Sequence, residues 1–331
     1  MSERPLVSVI GLGGTIAMAG DGPRGVVPSL TAEALVEAVP ALSARARISA
    51  SSFRMMPGAH LGFDDVIALA GEIRSRVAAG ARGVVVTQGT DTIEETAFAL
   101  DLMLDLEAPV VVTGAMRNPT QPGADGAANL LSAVCVAASD VARGAGVLVV
   151  MNDEIHAAAF VQKRHATSCA AFHAPNHGPL GWVAESRIAM ASRPPRRAGV
   201  LGPFGRQNVE VGLIPAVMGD SGRLLDAAAA AGFAGYVIAG MGAGHVPASL
   251  VDRLGRLAAA HPVVLCSRTG AGAVLAETYG FAGSESDLLG RGLIRGGWLD
   301  PLKARVALTL LLRSGASHAA IIDHFERYCP A

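Results

Sequence analysis

The chain carries almost no net charge. Its 331 residues include 27 Lys or Arg and 28 Asp or Glu, which gives a formal net charge of -1 at pH 7, and the sequence pI is about 6.8. Proteins that attract nucleic acid or an anionic membrane through their overall field carry an excess of basic residues. The composition therefore gives no electrostatic reason to expect either partner.

Cysteine is scarce, and no two cysteines lie close together in the sequence. The four cysteines are Cys135, Cys169, Cys266 and Cys329. Zinc sites and dithiol redox centres usually show CxxC pairs, and this chain has none. The sequence predicts neither kind of site, and we expect free thiols that are mostly buried as small hydrophobic groups.

The chain also lacks an apolar run suited to crossing a membrane, although hydrophobic residues make up 51% of it. Residues 227–244 are uncharged but contain five glycines, and we interpret them as a helix end, a strand at residues 236–239 and a glycine loop. The N-terminal segment MSERPLVSVIGLGGT lacks the basic start and the long apolar region of a signal peptide. We therefore expect a cytoplasmic protein.

Residues 84–96, VVVTQGTDTIEET, hold the clearest candidate site. The valines and Thr87 predict a parallel strand that is buried on both faces. The acidic residues from Glu94 onward predict the first turn of a helix. Between strand and helix, residues 88–92 bring two hydroxyls, a carboxylate and a glycine to the end of the strand. Ligands of open α/β sheets bind outside the carboxyl ends of the strands, so this loop is a candidate site by position and by composition.

Thr90 or Asp91 alone would serve as a cap for the following helix, since both residue types are good N-caps. Capping accounts for one polar side chain but not for two threonines that flank an aspartate beside Gly89. A second strand, at residues 7–10, is followed by the loop GLGGTIA, which delivers Thr15 through another glycine turn. The two strand ends together predict one pocket.

Strand and helix patterns alternate along the chain, which predicts an α/β fold with a doubly wound, mostly parallel sheet. A chain of 331 residues exceeds most single cores. The segment ASRPPRRAGVLGPFGRQN is rich in proline, glycine and arginine and is the best candidate for a linker. We therefore predict a larger N-terminal domain at residues 1–192, a linker at residues 193–208 and a smaller C-terminal α/β domain at residues 209–331.

Residues 155–177 form a long polar segment, which predicts a functional loop. Its four histidines are His156, His165, His173 and His177. A metal site is one interpretation, but Pro175 lies within the last pair and interrupts the helix that HxxxH spacing needs. We expect solvated loop histidines and no metal.

Two segments, LGGTIA near the N-terminus and TQGTDTIEET, look like the two signature segments of one enzyme family. Further similar segments are GAMR, ADGAANL, VLVVMND, GPLG and PLKARV. On these motifs, which cover nearly the whole chain, the sequence resembles the bacterial-type L-asparaginases, amidohydrolases with a threonine nucleophile. The resemblance implies hydrolysis of L-asparagine to L-aspartate and ammonia without a cofactor, and it allows a side activity on glutamine.

Hydrolysis of a carboxamide needs an activated nucleophile, a site for the oxyanion and a proton for the departing ammonia. The resemblance implies that Thr15 is the nucleophile and forms an acyl-enzyme. It also implies a second catalytic group of Thr90, Asp91 and Lys163. A buried lysine beside a carboxylate and a hydroxyl is able to relay a proton, and Asp91 would also meet the α-ammonium group of the substrate.

The substrate-binding positions follow from the same resemblance. The backbone groups of Gly14, Gly89 and Ala115 are the candidate donors to the oxyanion and to the substrate carboxylate, since glycine turns let the main chain approach a ligand closely. A Ser-Gln pair of the relatives corresponds to Ala59 and His60 here.

Three further positions of the family lie in a mobile lid and at a subunit boundary. The relatives carry a tyrosine in the lid, whereas residues 25–27 of this chain are Gly, Val and Val. An asparagine from the neighbouring subunit corresponds to His245, and a glutamate that crosses the boundary corresponds to Glu285. These changes leave the amidohydrolase class intact and bear on substrate preference and catalytic efficiency.

Other interpretations remain open. The turn at residues 11–16 partly matches a dinucleotide-binding fingerprint, but Ile16 replaces its third glycine, so we expect no nicotinamide cofactor. The chain could instead be an amidohydrolase for another small amide, such as glutamine or D-asparagine, or an amino-acid binder without turnover. The resemblance also implies a homo-oligomer, a tetramer of intimate dimers with sites at the subunit interface, and no nucleic-acid or membrane partner.

Overall fold

The computed structural model describes residues 4–19, 27–28, 30–194, 201–206 and 208–329. The chain divides into two compact units, residues 1–197 and residues 198–331. Each unit is built on a sheet of its own, and the two are described separately below.

The first unit contains a large sheet with helices packed against it. Within the described residues its strands are β1 (Leu6–Gly11), β2 (Met18–Ala19), β3 (Val27–Pro28), β4 (Arg47–Ser52), β5 (Gly83–Thr87), β6 (Val110–Thr113), β7 (Val147–Met151), β8 (Glu154–Ala157), β9 (Gln162–Lys163), β10 (Phe172–His173), β11 (Gly181–Ala184) and β12 (Arg187–Met190). Its α-helices there are α1 (Ala32–Glu37), α2 (Phe63–Ala78), α3 (Ile93–Met103) and α4 (Gly126–Ala137).

The large sheet has eight strands in the order β12-β11-β8-β7-β6-β5-β1-β4. The neighbouring strands β4, β1, β5, β6 and β7 are parallel. Beyond β7 the sheet continues with β8, β11 and β12, which pair in antiparallel fashion. The central strands are unbroken apolar runs; the three valines of β5, for example, are 0% exposed. Such strands need a cover on both faces. Helix α4 packs against β5, β6 and β7, while α3 packs against β6, β7 and α2. The predicted doubly wound, mostly parallel sheet is confirmed.

The segment expected to be irregular, residues 155–177, contains regular structure. Strand β8 belongs to the large sheet and follows β7 through a two-residue turn at Asn152 and Asp153, whose φ angles are 51° and 61°. Asn and Asp tolerate this left-handed conformation, which suits a tight hairpin. His156 lies on β8 opposite Val149 and is 0% exposed. The expectation of a solvated loop histidine was therefore wrong for His156.

The other three histidines of this segment, His165, His173 and His177, are exposed. His173 lies on β10, which pairs with β9 in a separate two-stranded sheet. The strands of this hairpin are only two residues long. The hairpin thus lies outside the large sheet and depends on other contacts for its position.

The second unit is a smaller α/β structure. Within the described residues its strands are β13 (Val211–Pro215), β14 (Gly235–Gly240), β15 (Val263–Ser267) and β16 (Ile294–Arg295). Its α-helices there are α5 (Arg223–Ala231), α6 (Ala248–Ala260), α7 (Glu285–Gly290), α8 (Pro301–Arg313) and α9 (His318–Glu326). The four strands are all parallel and stand in chain order. The predicted smaller α/β domain is confirmed as a fold.

Residues 227–244 consist of the end of α5, strand β14 and a glycine loop, as the sequence predicted. No helix in the described part of the chain is long and apolar enough to cross a membrane. All four cysteines are free; Cys135 and Cys266 are buried, and Cys169 and Cys329 are half-buried.

Two sequence predictions fall partly on residues that are not described. The sequence predicts the lid at residues 18–30, and within this segment β2 pairs with β3 in antiparallel fashion. Residues 20–26 and 29, which include Gly25 and Val26 of the stretch that corresponds to the lid tyrosine, lie outside the described residues. The same holds for residues 195–200 and 207 of the predicted linker.

Candidate active site

Four neighbouring strands of the first unit end at the same level. The sheet register pairs Gly11 of β1 with Ser52 of β4 and with Thr87 of β5, and Thr87 pairs with Thr113 of β6. The loops that leave these strands therefore start side by side. They carry every predicted site residue of the first unit except Lys163.

The loops after β1 and β5 contact each other through their main chains. A Cβ atom placed on Gly14 would lie 2.0 Å from the nitrogen of Gly89, and Gly14 has a φ of +82°. Only glycine allows both this close contact between main chains and this positive φ angle. Thr15 follows Gly14 and begins a short 3-10 helix, and Thr90 follows Gly89 and begins another. The structure thus brings the two predicted threonine loops together.

The loop after β4 joins the same cluster. A Cβ on Gly58 would lie 2.8 Å from the carbonyl oxygen of Gly89, and Thr92 Oγ1 donates a hydrogen bond to the Gly58 carbonyl at 3.0 Å. Ala59 and His60 lie in the 3-10 helix that starts at Gly58, and both are exposed. Both side chains are therefore open to solvent.

The loop after β6 supplies Ala115, which is buried. A Cβ on the preceding Gly114 would lie 3.2 Å from Thr90 Cγ2. Asp125 fixes this loop, because its carboxylate accepts hydrogen bonds from the amides of Met116 and Arg117 at 2.9 to 3.1 Å. Sequence reasoning missed this role of Asp125, although its position just before helix α4 was a signal for a local backbone contact.

Lys163 reaches the cluster from strand β9. Its ammonium group donates hydrogen bonds to Thr90 Oγ1 at 2.9 Å and to Asp91 Oδ1 at 3.0 Å. Thr90 is 5% exposed, and the side chains of Lys163 and Asp91 are 16% and 64% exposed. The lysine therefore bridges a buried hydroxyl and a carboxylate at the surface. Solvent screens the ion pair on the Asp91 side, whereas the contact with Thr90 is shielded.

Glu94 also contacts Lys163, and the sequence reasoning assigned it no role in the site. Its Oε2 accepts a hydrogen bond from the backbone nitrogen of Lys163 at 3.0 Å. Glu94 lies in the first turn of α3 and is only 8% exposed. A glutamate that is almost fully buried needs polar partners, so the burial of Glu94 rather than its sequence context marks it out.

The remaining predicted residues, His245 and Glu285, lie in the second unit and contact each other. His245 Nε2 and Glu285 Oε2 are 3.1 Å apart. The side chain of Glu285 is 0% exposed and that of His245 is 22% exposed. The second unit thus presents the imidazole at its surface and keeps the carboxylate inside.

The surroundings of Glu285 explain its ionisation. Burial by itself raises the pKa of a carboxyl group, but here the hydrogen bonds outweigh it and the pKa of Glu285 is lowered. The amides of Tyr279 and Thr278 donate to Oε1 at 2.9 and 3.1 Å, and His245 contacts the other oxygen. Glu285 is therefore held as a carboxylate that fixes the loop at residues 278–279 and the ring of His245.

The glycine turn after β1 does not resemble a dinucleotide site in structure. Such a site needs a long helix directly after the turn, with the pyrophosphate at its N-terminus. Here the turn leads into the three-residue 3-10 helix Thr15–Ala17 and then into β2. Backbone fills the space beside the turn, since a Cβ on Gly13 would lie 2.7 Å from the nitrogen of Met56. The described residues also hold no group of three or more His, Cys, Asp or Glu placed for a metal ion.

Comparisons with protein families and with known proteins all point to one family. Residues 6–196 match the family described as "Asparaginase, N-terminal", and residues 210–325 match "Glutaminase/Asparaginase C-terminal domain". The chain is 35% identical to a probable periplasmic L-asparaginase of Haemophilus influenzae, over 99% of this chain and 94% of that protein. It is 34% identical to L-asparaginase 2 of Escherichia coli, over 98% of this chain and 93% of that protein.

The fold is similar to that of a solved relative as well. The crystal structure of a probable cytoplasmic L-asparaginase from Campylobacter jejuni matches with a TM-score of 0.89 and 32% identity, over 98% of this chain and 100% of that chain. The family matches and the relatives extend over both units of the chain. The chain therefore belongs to the asparaginase family and is an amidohydrolase.

Proposed function

We propose that this amidohydrolase is an L-asparaginase, which hydrolyses L-asparagine to L-aspartate and ammonia. The observation that carries the proposal is the contact of Lys163 Nζ with both Thr90 Oγ1 and Asp91 Oδ1, at 2.9 and 3.0 Å, beside the loop that holds Thr15. A hydroxyl, an ammonium group and a carboxylate in one row are the components of a proton relay. The names of the relatives point to the same substrate.

Thr15 is the proposed nucleophile. Its Oγ1 attacks the side-chain amide carbon of asparagine and forms a tetrahedral oxyanion. The hydroxyl proton passes through Thr90 and Lys163 to the amide nitrogen, the C–N bond breaks and ammonia leaves. A water molecule then attacks the resulting ester, which releases aspartate and returns the proton to Thr15. No redox step and no cofactor enter this scheme.

Binding groups for the rest of the substrate surround these threonines. The exposed carboxylate of Asp91 is suited to the α-ammonium group. Backbone amides at Gly14, Gly89 and Ala115 are suited to the oxyanion and the α-carboxylate. The loops after β1, β5 and β6 bring these three main-chain segments close together. Ala59 and His60, both exposed, would contact the carboxylate end, where the imidazole adds a donor.

Ammonia release tests this proposal. Purified protein should release ammonia from L-asparagine at a rate proportional to enzyme, and the Thr15→Ala variant should not. A panel of L-asparagine, D-asparagine, L-glutamine and longer carboxamides separates the L-asparaginase from an amidohydrolase with another preferred amide. Protein that binds aspartate in calorimetry but frees no ammonia from any member of the panel would be an amino-acid binder, contrary to the proposal.

We also propose a homo-oligomeric, cytoplasmic enzyme with domains at residues 1–192 and 209–331 joined by residues 193–208. In this assembly, a tetramer of intimate dimers, His245 of one subunit would complete the site of its neighbour, and the enclosed Glu285 would contribute by orienting that imidazole. The mass in solution by light scattering tests the assembly. A monomer with full activity would show that His245 and Glu285 do not contribute to the active site.

A further inference from the structure

We propose that Glu94 is a positioning residue, which anchors the main chain of Lys163 so that the lysine ammonium group stays on Thr90 and Asp91. This inference rests on the proposed function, because it assigns Glu94 a role in the same reaction. It concerns a contact between helix α3 and strand β9 that is separate from the contacts of the reacting groups.

The need for an anchor follows from the position of Lys163. It lies on β9, a two-residue strand that, among the described strands, pairs with the two-residue β10 alone and is not part of the large sheet. A hairpin of this size is not stable by itself. Lysine also has a long, flexible side chain with large rotamer entropy. A fixed ammonium position therefore requires that the backbone of Lys163 be held by something outside the hairpin.

Glu94 supplies such a contact. Its Oε2 accepts from the Lys163 amide at 3.0 Å across 69 positions of sequence, and helix α3 packs against β9. Thr90 and Asp91 precede Glu94 in the same segment. The segment at residues 90–94 thus holds Lys163 at both ends: the side-chain nitrogen through Thr90 and Asp91, and the backbone nitrogen through Glu94.

The chemistry of the contact makes it strong and directional. The carboxylate sits in the first turn of α3, where the helix dipole favours negative charge. A backbone amide that donates to a carboxylate forms a charge-assisted hydrogen bond, and Glu94 is 8% exposed, so water competes little. Loss of the acceptor would leave a shielded amide to find another partner. A shift of about 1 Å in a catalytic group costs on the order of a hundredfold in rate.

Capping of its own helix is the ordinary role of a glutamate in a first turn. The bond to Lys163 shows a different use of Glu94, because its partner lies in another element.

Three substitutions of Glu94 distinguish the position of its acceptor oxygen from its negative charge. Glu94→Gln keeps an acceptor oxygen at the same distance, Glu94→Asp keeps the charge but draws the acceptor back by about one bond length, roughly 1.5 Å, and Glu94→Ala removes both. Glu95→Ala, at the next position, is the matched control.

The first readout is independent of catalysis. Amide hydrogen exchange, followed by mass spectrometry on peptides that cover residues 161–164, should be about tenfold faster in Glu94→Ala and Glu94→Asp. It should match the parent protein in Glu94→Gln and Glu95→Ala. If Glu94→Ala fails to fold, the Asp and Gln variants still decide the question. A protein without ammonia release would refute the proposed function and leave this readout intact.

The second readout uses the enzyme. For Glu94→Asp and Glu94→Ala, kcat for asparagine should fall tenfold to a hundredfold while KM stays within about twofold, because Glu94 holds the main chain of Lys163 and is not one of the proposed substrate-binding groups. Glu94→Gln should restore kcat to within about threefold. Equal losses in the Gln and Asp variants, or parent-like hydrogen exchange in the Asp variant, would overturn the anchoring role.

Discussion

Lys163 Nζ lies 2.9 Å from Thr90 Oγ1, although 73 positions of sequence separate the two residues. The contact joins the two-residue strand β9, which lies outside the large sheet, to the loop at the end of the buried strand β5. It places an ammonium group, a shielded hydroxyl and the Asp91 carboxylate in one row. The predictions below concern this arrangement and two buried ionisable groups, His156 in the first unit and Glu285 in the second.

Replacement of Thr15 by alanine should abolish turnover. The variant loses the oxygen that would form the acyl-enzyme, and removal of a nucleophile costs on the order of 10³-fold or more in kcat. Ammonia release under substrate saturation measures the effect, with Thr15→Ser as a control that keeps a hydroxyl and part of the activity. An unchanged melting temperature shows that the variant folds. Retained activity in Thr15→Ala would move the nucleophile elsewhere.

Replacement of Thr90 by valine should also abolish detectable turnover. Valine has nearly the shape of threonine, so the buried site keeps its packing, but Lys163 loses the hydroxyl that it contacts at 2.9 Å. Loss of a proton-transfer partner costs about 10² to 10⁴ in rate. Thr90→Ser should recover most of the activity because it returns the hydroxyl. Equal activity in the Val and Ser variants would contradict a relay through Thr90.

The Glu285 carboxylate should stabilise the second unit in a pH-dependent way. Its pKa in the folded protein is lowered from the ordinary value of 4.5, so its contribution is present above about pH 4.5 and is lost as the pH falls through the lower folded value. Glu285→Gln should cost roughly 1 kcal/mol at pH 7, and the deficit should shrink as the pH falls below 4.5. Melting temperatures at pH 7, 5, 4 and 3 measure this, with the exposed Glu326→Gln as a control without a deficit.

Buried His156 should make the first unit less stable in mild acid. Burial, followed by the charge of His173, lowers its pKa from 6.5 to about 4. Between these two pH values the unfolded chain takes up a proton that the folded chain does not, so stability falls as the pH drops, by up to about 3 kcal/mol. His156→Gln should remove this part of the acid sensitivity. Denaturant unfolding at pH 7 and pH 5 checks it; an identical pH dependence in both proteins would contradict the prediction.

Much of the fold was predictable because its signals are local. The valine run of β5, the acidic start of α3 and the glycines around β14 each specify burial or backbone conformation within a few residues. Local signals did not predict the strands within residues 155–177. The polar side chains of this segment favoured a loop, whereas the structure contains β8 and the β9–β10 hairpin. Pairing with β7 across the turn at Asn152 and Asp153 decided that segment, and a single sequence carries only a weak signal for such pairing.

The sequence by itself determined that glycine turns deliver Thr15 and Thr90 from the ends of buried strands, because glycine content and apolar runs act through the backbone nearby. The tertiary structure alone decided that Gly14 meets Gly89, that Glu94 holds the backbone of Lys163, and that Glu285 is enclosed beneath His245. These relationships depend on strand register and on packing between distant segments. The free energy that selects them comes from the whole sheet and its helices, and no short stretch of sequence contains it.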